Sequence, residues 1–137
     1  MTVLKRNLMI FGMVFGSIAL AVAVGAGLVS YALVRVEPYP AFMKDLASNC
    51  TRTYEETKQA FSRLIVQTFP IGSDAKDATK QVAAGGFQVQ RGSGPNSVHM
   101  RWSRKAGPCN ERYSIVVDQT VDGKIAKATG ELYPTCL

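Results

Sequence analysis

The chain has 137 residues, with 16 Lys or Arg against 10 Asp or Glu and a formal net charge of +6. This length corresponds to about one domain and excludes a multidomain enzyme, a repeat array and a large α/β barrel. The sequence contains no G-x-G-x-x-G or Walker loop, so nothing indicates nucleotide chemistry. Three of the positive charges, Lys5, Arg6 and Arg35, bracket one long apolar block. The basic balance is therefore weak evidence for nucleic-acid binding, and we predict no nucleic-acid partner.

Residues 8–34 form one apolar block without a single charge. A bilayer core about 30 Å thick requires about 20 apolar residues at 1.5 Å each, so the block predicts an uncleaved, single-pass transmembrane helix in contact with the lipid bilayer. The alternative is a cleaved signal peptide, whose apolar region is usually about 7–15 residues long. Because Lys5 and Arg6 precede the block, the positive-inside rule predicts a cytoplasmic N-terminus in a bacterial inner membrane and a periplasmic C-terminal domain.

Small residues recur four positions apart along this block. Such spacing lets a second helix approach closely, because lipid provides no hydrophobic driving force for helix association. We therefore predict that one face of the helix packs on other transmembrane subunits of a membrane complex. The alternative is that Gly and Ala are simply common in bacterial spans. The candidate packing positions are Gly12, Gly16, Ala21, Gly25, Ala23 and Gly27.

The sequence divides into three parts: a cytoplasmic N-terminus and anchor over residues 1–35, a linker and juxtamembrane segment over residues 36–52, and a folded domain over residues 53–137. Thr53-x-x-Glu56 has the pattern of a capping box and predicts the start of a helix. A second helix follows, and period-2 alternation then predicts four short strands. This order predicts an α+β domain in which two helices cover one face of an antiparallel meander.

Three cysteines, Cys50, Cys109 and Cys136, are present without a C-x-x-C motif, which argues against a zinc ribbon, a thioredoxin motif and haem attachment. Asp122-Gly123 between two strands is a strong hairpin signal. A two-residue loop there places Cys109 opposite Cys136, as a hydrogen-bonded pair within disulfide reach. We predict this disulfide and an oxidising compartment. The alternative is two buried free thiols, and Cys50 is left over.

His99 is the only histidine of the chain. It shares the predicted solvent face of its strand with Arg101 and Ser103, and nothing in the sequence places a nucleophile beside it. We therefore predict no catalytic residue, no cofactor and no metal site. An enzyme that uses His99 is the weakest of the alternatives.

Five cations lie in one stretch of strands and loops that contains a single acid, Glu111. They predict a patch that docks an acidic protein surface or anionic lipid headgroups. The alternative is a solvated hairpin edge, where positive charge discourages aggregation between strands. The predicted docking patch consists of Arg91, Arg101, Arg104, Lys105 and Arg112.

Three short motifs accompany this order of elements: Phe69-Pro-Ile-Gly-Ser73, Gly86-Phe87, and Tyr113-Ser-Ile-Val-Val-Asp118 with Asp122-Gly-Lys-Ile125. Together they resemble the SmpA/OmlA (BamE-like) family of small envelope domains over Thr53–Leu132. The resemblance implies a non-catalytic domain that helps to assemble or stabilise a membrane complex. Members of that family are typically lipoproteins, whereas this sequence has the apolar block instead.

The preferred function is a non-catalytic, single-span accessory subunit. It would stabilise or assemble a larger energy-transducing or envelope complex through helix packing and extracytoplasmic docking. The alternative is a freestanding, membrane-anchored ligand-binding or inhibitor-like module. Mild detergent purification separates the two, because an accessory subunit co-purifies with its complex at fixed stoichiometry.

Overall fold

The computed structural model describes residues 2–47 and 53–136. The chain divides into two compact units, Met1–Arg35 and Val36–Leu137. The described residues form an α+β fold with four α-helices and one four-stranded antiparallel sheet. The helices and the sheet that carry a candidate site belong to the second unit.

The first unit is formed by helix α1, Thr2–Val34. Its side chains are described continuously over residues 16–31, where all of them are exposed. Among the described residues, no helix combines the length and the apolar character needed to cross a membrane.

By this criterion the predicted transmembrane anchor is wrong, and so are the single-pass topology and the inner-membrane localisation that followed from it. The prediction depended on two properties of residues 8–34, the absence of charge and the length required to span a bilayer. Among the described residues, no helix meets both requirements together.

The small residues of α1 stay candidates for helix packing, which no observation tests. Apart from the neighbouring residues and the backbone of its own helix, a Cβ atom built at Gly16, Gly25 or Gly27 would meet no atom within 4 Å. Ala21 and Ala23 are exposed. Gly12 lies outside the residues whose side chains are described.

The second unit begins within the segment predicted as a linker, residues 36–52, and much of this segment is part of the folded unit. The backbone N–H of Glu37 donates to the Lys105 carbonyl at 2.9 Å. A 3₁₀ turn, Ala41–Met43, and the short helix α2, Lys44–Ala47, follow. Each places one apolar side chain in the core. Cys50 lies outside the described residues.

Two longer helices follow in the second unit. Helix α3, Tyr54–Thr68, begins with the predicted capping box. The Thr53 hydroxyl accepts from the Glu56 N–H at 3.3 Å, and the Glu56 carboxylate accepts from the Thr53 N–H at 2.7 Å. Helix α4, Ala75–Ala84, is capped by the Asp74 carboxylate. Both starts satisfy backbone donors that have no partner within the helix.

The sheet is formed by four strands: β1 Gln88–Arg91, β2 Ser97–Ala106, β3 Cys109–Gln119 and β4 Ile125–Cys136. They form an antiparallel meander with the strand order β1-β2-β3-β4. Because side chains alternate between faces, even positions of β2 and odd positions of β3 face the core, as buried Met100 and Tyr113 show. The other positions of these strands form the opposite face of the sheet, which we call the open face.

The core lies between α3 and the sheet. Phe61 and Ile65 of α3 and Ile115 and Leu132 of the sheet are fully or almost fully buried. A Cβ atom at Gly130 would lie 2.6 Å from Cγ1 of Ile65. The glycine therefore permits the close approach of α3 to β4.

The predicted disulfide joins Cys109 to Cys136, which lie directly opposite each other on β3 and β4. Their Cα atoms are 4.0 Å apart. This spacing is nearer to the roughly 4.5 Å of a non-hydrogen-bonded pair than to the roughly 5.5 Å of a hydrogen-bonded pair. The predicted partner is therefore correct, whereas the predicted type of pair is wrong.

The β3–β4 loop explains this difference. Residues 120–124 connect the two strands, whereas the prediction assumed a loop of two residues. Within this loop, the Gly123 N–H donates to the Thr120 carbonyl at 3.0 Å. Gly123 has a φ of +75°, in the left-handed region that glycine adopts without strain. A register shift between Asp118 and Gln119 compensates for the longer loop and restores the predicted pairing.

Candidate binding surface

The sheet separates the five cations of the predicted docking patch. Arg101, Lys105 and Arg112 are exposed on the open face, whereas Arg104 is buried on the face toward the helices. Arg91 lies at the end of β1 and also belongs to the helix side of the sheet. The structure therefore brings three of the five cations together, because neighbouring strand residues point to opposite faces.

Arg104 forms a buried ion pair. Its Nε lies 2.6 Å from Oε2 of Glu111, and the two side chains are 9% and 6% exposed. Its Nη1 donates to the Glu37 carbonyl at 2.9 Å, and its guanidinium carbon lies 3.6 Å from the centre of the Tyr39 ring. These contacts fix Arg104 in the interior, so it is not available to dock a partner.

Two tyrosines complete this buried cluster. The Tyr113 hydroxyl donates to Oε2 of Glu111 at 2.8 Å, and the Tyr39 hydroxyl lies 3.0 Å from it. Burial raises the pKa of Tyr113, and its hydrogen bonds to Tyr39 and Glu111 raise it further. Burial also raises the pKa of Tyr54, as does the nearby Glu111 charge. Tyr54 and Tyr113 therefore stay protonated near neutral pH, and neither serves as a general base.

Sequence reasoning missed this cluster, although a signal for it was available. Arg104 lies directly opposite Glu111 across the β2–β3 hairpin. The turn at Gly107-Pro108, where Gly107 has a φ of +64°, fixes this register. If the residues of the two strands are paired outward from that turn, Glu111 lies opposite Arg104 on the core face. Glu111 is the only acid in the stretch of the predicted docking patch.

A cavity of about 670 Å³ lies beside the buried cluster, entirely within the second unit. Arg104 and Glu111 line it together with Tyr39, Lys44 and Tyr54. Its volume is within the range of roughly 300–1,000 Å³ that is usual for small-molecule sites. The cavity offers positive, negative and hydroxyl groups, so its chemistry suits a polar ligand.

The open face is polar over nearly its whole area. Among the described residues, the charged groups of Arg101, Lys105 and Arg112 have no carboxylate within 4 Å. Lys127 is a fourth cation of this face. The Glu37 carboxylate accepts from the backbone N–H of Lys105 at 3.1 Å. Glu131, a nearby acid on β4, accepts a hydrogen bond from Tyr133 instead. The side chains of this face include Gln88, Gln90, His99, Arg101, Ser103, Lys105, Asn110, Arg112, Ser114, Lys127, Thr129 and Glu131.

The structure places a serine beside His99, which the sequence did not indicate. Ser114 Oγ lies 2.7 Å from His99 Nε2, and Arg101 Nε donates to the same nitrogen at 3.2 Å. Because the guanidinium can only donate, Nε2 is an acceptor and the ring proton is assigned to Nδ1. Burial, followed by the charge of Arg101, lowers the pKa of His99.

This serine–histidine contact lacks the other parts of a nucleophilic site. The nitrogen that would take the serine proton already accepts from Arg101. Among the hydrogen bonds of the described residues, none joins His99 Nδ1 to a carboxylate. A serine nucleophile needs an oriented, free base, so the arrangement favours a role of His99 in positioning Arg101.

Comparisons with family models, curated proteins and solved structures give no match for this chain. The resemblance to the SmpA/OmlA family therefore stays a prediction, and the geometry alone supports the functional proposals.

Proposed function

We propose that the second unit is a non-catalytic binding domain that serves as an accessory subunit of a larger protein complex. It docks an acidic surface of its partner on the open face of the sheet. One observation carries this proposal: Arg101, Lys105 and Arg112 lie together on the open face, and their charged groups form no ion pair among the described residues. Their uncompensated charge attracts an acidic surface and steers its approach.

The sheet suits this role because it holds the cations in fixed positions. Arg101 and Arg112 lie on β2 and β3, which pair along the whole length of β2. Sites on strands are more precise than sites on loops. The neighbouring serine, asparagine and glutamine side chains supply hydrogen-bonding groups, such as those that form the polar rim of protein interfaces.

Charge reversal tests the proposal. We expect Arg101→Glu with Arg112→Glu to abolish recovery of the partner in native affinity purification, because like charges then face each other. The matched control is Arg63→Glu with Lys80→Glu, which reverses two cations that are also exposed, on α3 and α4. Cross-linking with mass spectrometry then identifies the partner residues at the open face.

The outcome is decided by the difference between the two double variants. Loss in the sheet variant, retention in the helix control and cross-links to an acidic segment support the proposal. Retention in both variants, or equal loss in both, contradicts docking at the open face.

A second candidate function is the binding of a small polar ligand in the 670 Å³ cavity. The buried ion pair beside the cavity favours it, because such polar groups orient a ligand. Ala47 is exposed and lines the cavity, so Ala47→Trp fills it with little disturbance of the core. Native mass spectrometry of the purified protein should show a bound mass that Ala47→Trp loses and the exposed control Ala84→Trp keeps. A bound mass that both variants keep contradicts this function.

A further inference from the structure

The open face contains a cleft of about 320 Å³ between β1, β2 and β3. Arg101 lies opposite Gln88, and Arg112 lies opposite Ser103, so the four side chains surround the cleft from three strands. Trp102 and Gly86 complete its lining. We call it the two-arginine cleft.

The chemistry of the cleft selects for an anion. Its polar side chains are two guanidinium groups, an amide and a hydroxyl, and all of them carry hydrogen-bond donors. None of the lining residues is acidic. An acceptor with negative charge satisfies these donors, whereas a cation would meet repulsion.

One of the two arginines is held in place before any ligand arrives. Arg101 Nε donates to His99 Nε2 at 3.2 Å, and Ser114 contacts the same ring nitrogen at 2.7 Å. With Nε engaged, Arg101 still has both Nη groups, which form the planar edge that a carboxylate accepts in a bidentate way. Such pre-organisation reduces the entropy lost on binding.

We propose that the two-arginine cleft binds one carboxylate group, supplied by a glutamate or aspartate of the docked partner. This inference rests on the proposed docking function and specifies its central contact. Arg101 provides the oriented edge, and Arg112 closes on the same carboxylate from the neighbouring strand. Arginine is the usual residue for planar, bidentate recognition of a carboxylate.

Isothermal titration calorimetry measures occupancy of the cleft directly and without an added label. The experiment titrates the full chain at low salt with an N-acetylated, C-amidated tri-glutamate peptide, and with the tri-glutamine peptide as the uncharged control. We expect a saturable heat of binding with tri-glutamate only.

Single substitutions then locate the site. Arg101→Gln and Arg112→Gln should each weaken tri-glutamate binding about tenfold or more, because each removes a charge-assisted contact. Arg63→Gln on α3 should leave the affinity unchanged. Circular dichroism confirms that the variants fold, as expected for exposed side chains.

In a parallel titration, inorganic phosphate replaces the tri-glutamate peptide as the anion. Saturation by tri-glutamate at a lower concentration than by phosphate supports the carboxylate assignment, and the reverse order overturns it. No saturable heat of binding with tri-glutamate, or equal weakening by Arg63→Gln, also overturns the site. If tri-glutamate binds as expected but the affinity purification recovers no acidic partner, the docking function fails while the cleft assignment stands.

Discussion

Arg104 and Arg101 lie three residues apart on β2, and their environments are opposite. Arg104 is buried against Glu111 and the Tyr39 ring. Arg101 is exposed on the open face, where it contacts the neutral ring of His99. The face of the strand, and not the residue type, decides whether a cation stabilises the fold or is available to a partner.

The two faces of the sheet also differ in how their charges are compensated. On the core face, one carboxylate oxygen of Glu111 accepts from both Arg104 and Tyr113. On the open face, Arg101 and Arg112 have no such partner among the described residues. A buried charge must be paired because its desolvation is costly, whereas an exposed charge is compensated by water until a partner binds.

The largest expected effect comes from breaking the buried pair. Arg104→Ala leaves Glu111 buried without its counter-charge, and removal of one partner of such a pair costs about 3–5 kcal/mol. Arg101→Ala, on the same strand, should change the free energy of unfolding by less than about 0.5 kcal/mol. Urea denaturation followed by circular dichroism measures both. Equal losses of stability in Arg104→Ala and Arg101→Ala would contradict the difference between a paired, buried cation and an exposed one.

The disulfide should have the next largest effect. It joins residues with a sequence separation of 27, for which the loop-entropy relation gives about 3.5 kcal/mol at 25 °C. We expect Cys109→Ala with Cys136→Ala to lower the urea midpoint accordingly. Addition of a reductant should lower the midpoint of the wild-type protein and leave that of the double variant unchanged. A wild-type midpoint that does not respond to reduction would contradict the disulfide.

A neighbouring pair of residues on β4 extends the comparison to packing. A Cβ at Gly130 would lie 2.6 Å from Ile65, so Gly130→Ala should destabilise the fold by about 1–3 kcal/mol through overpacking. Thr129 faces the opposite side of the sheet, and Thr129→Ala should cost less than about 0.5 kcal/mol. Thermal unfolding measures the difference. If Thr129→Ala costs more, the assignment of the two faces on β4 is wrong.

Features fixed by a few adjacent residues could be predicted from the sequence. The capping box at Thr53 and Glu56 depends on one helical turn, and it forms as predicted. The pairing of Cys109 with Cys136 follows from one hairpin. The predicted loop was too short, but the pairing is still correct because a register shift in β3 compensates for the longer loop. Local backbone rules were sufficient in both cases.

Features that depend on surroundings were predicted less well. Arg104 and Arg112 look alike in the sequence, and only the register that places Arg104 opposite Glu111 separates them. The segment before Thr53 was predicted as a linker because its prolines suggested stiffness, yet Glu37 pairs with the edge of β2. The anchor was predicted from charge and length alone, and the described residues do not support it.

The smallest expected effect is the pH dependence that His99 confers. Its pKa is lowered from the ordinary value of 6.5, first by burial and then by the charge of Arg101. Between that lowered pKa and 6.5 the unfolded chain binds more protons than the folded one, so stability increases with pH. His99 therefore contributes fully above pH 6.5, and this contribution is lost as the pH falls toward the lowered pKa.

His99→Gln isolates this contribution, because His99 is the only histidine of the chain. Glutamine can still accept from Arg101 but does not titrate, so the variant should lose the slope of unfolding free energy below pH 6.5. Urea midpoints at several pH values between about 5 and 7 measure this slope. Arg101→Gln should reduce the slope, because part of the pKa shift of His99 comes from the charge of Arg101. A slope that persists in His99→Gln would come from carboxylates and would remove the evidence that a neutral His99 positions Arg101.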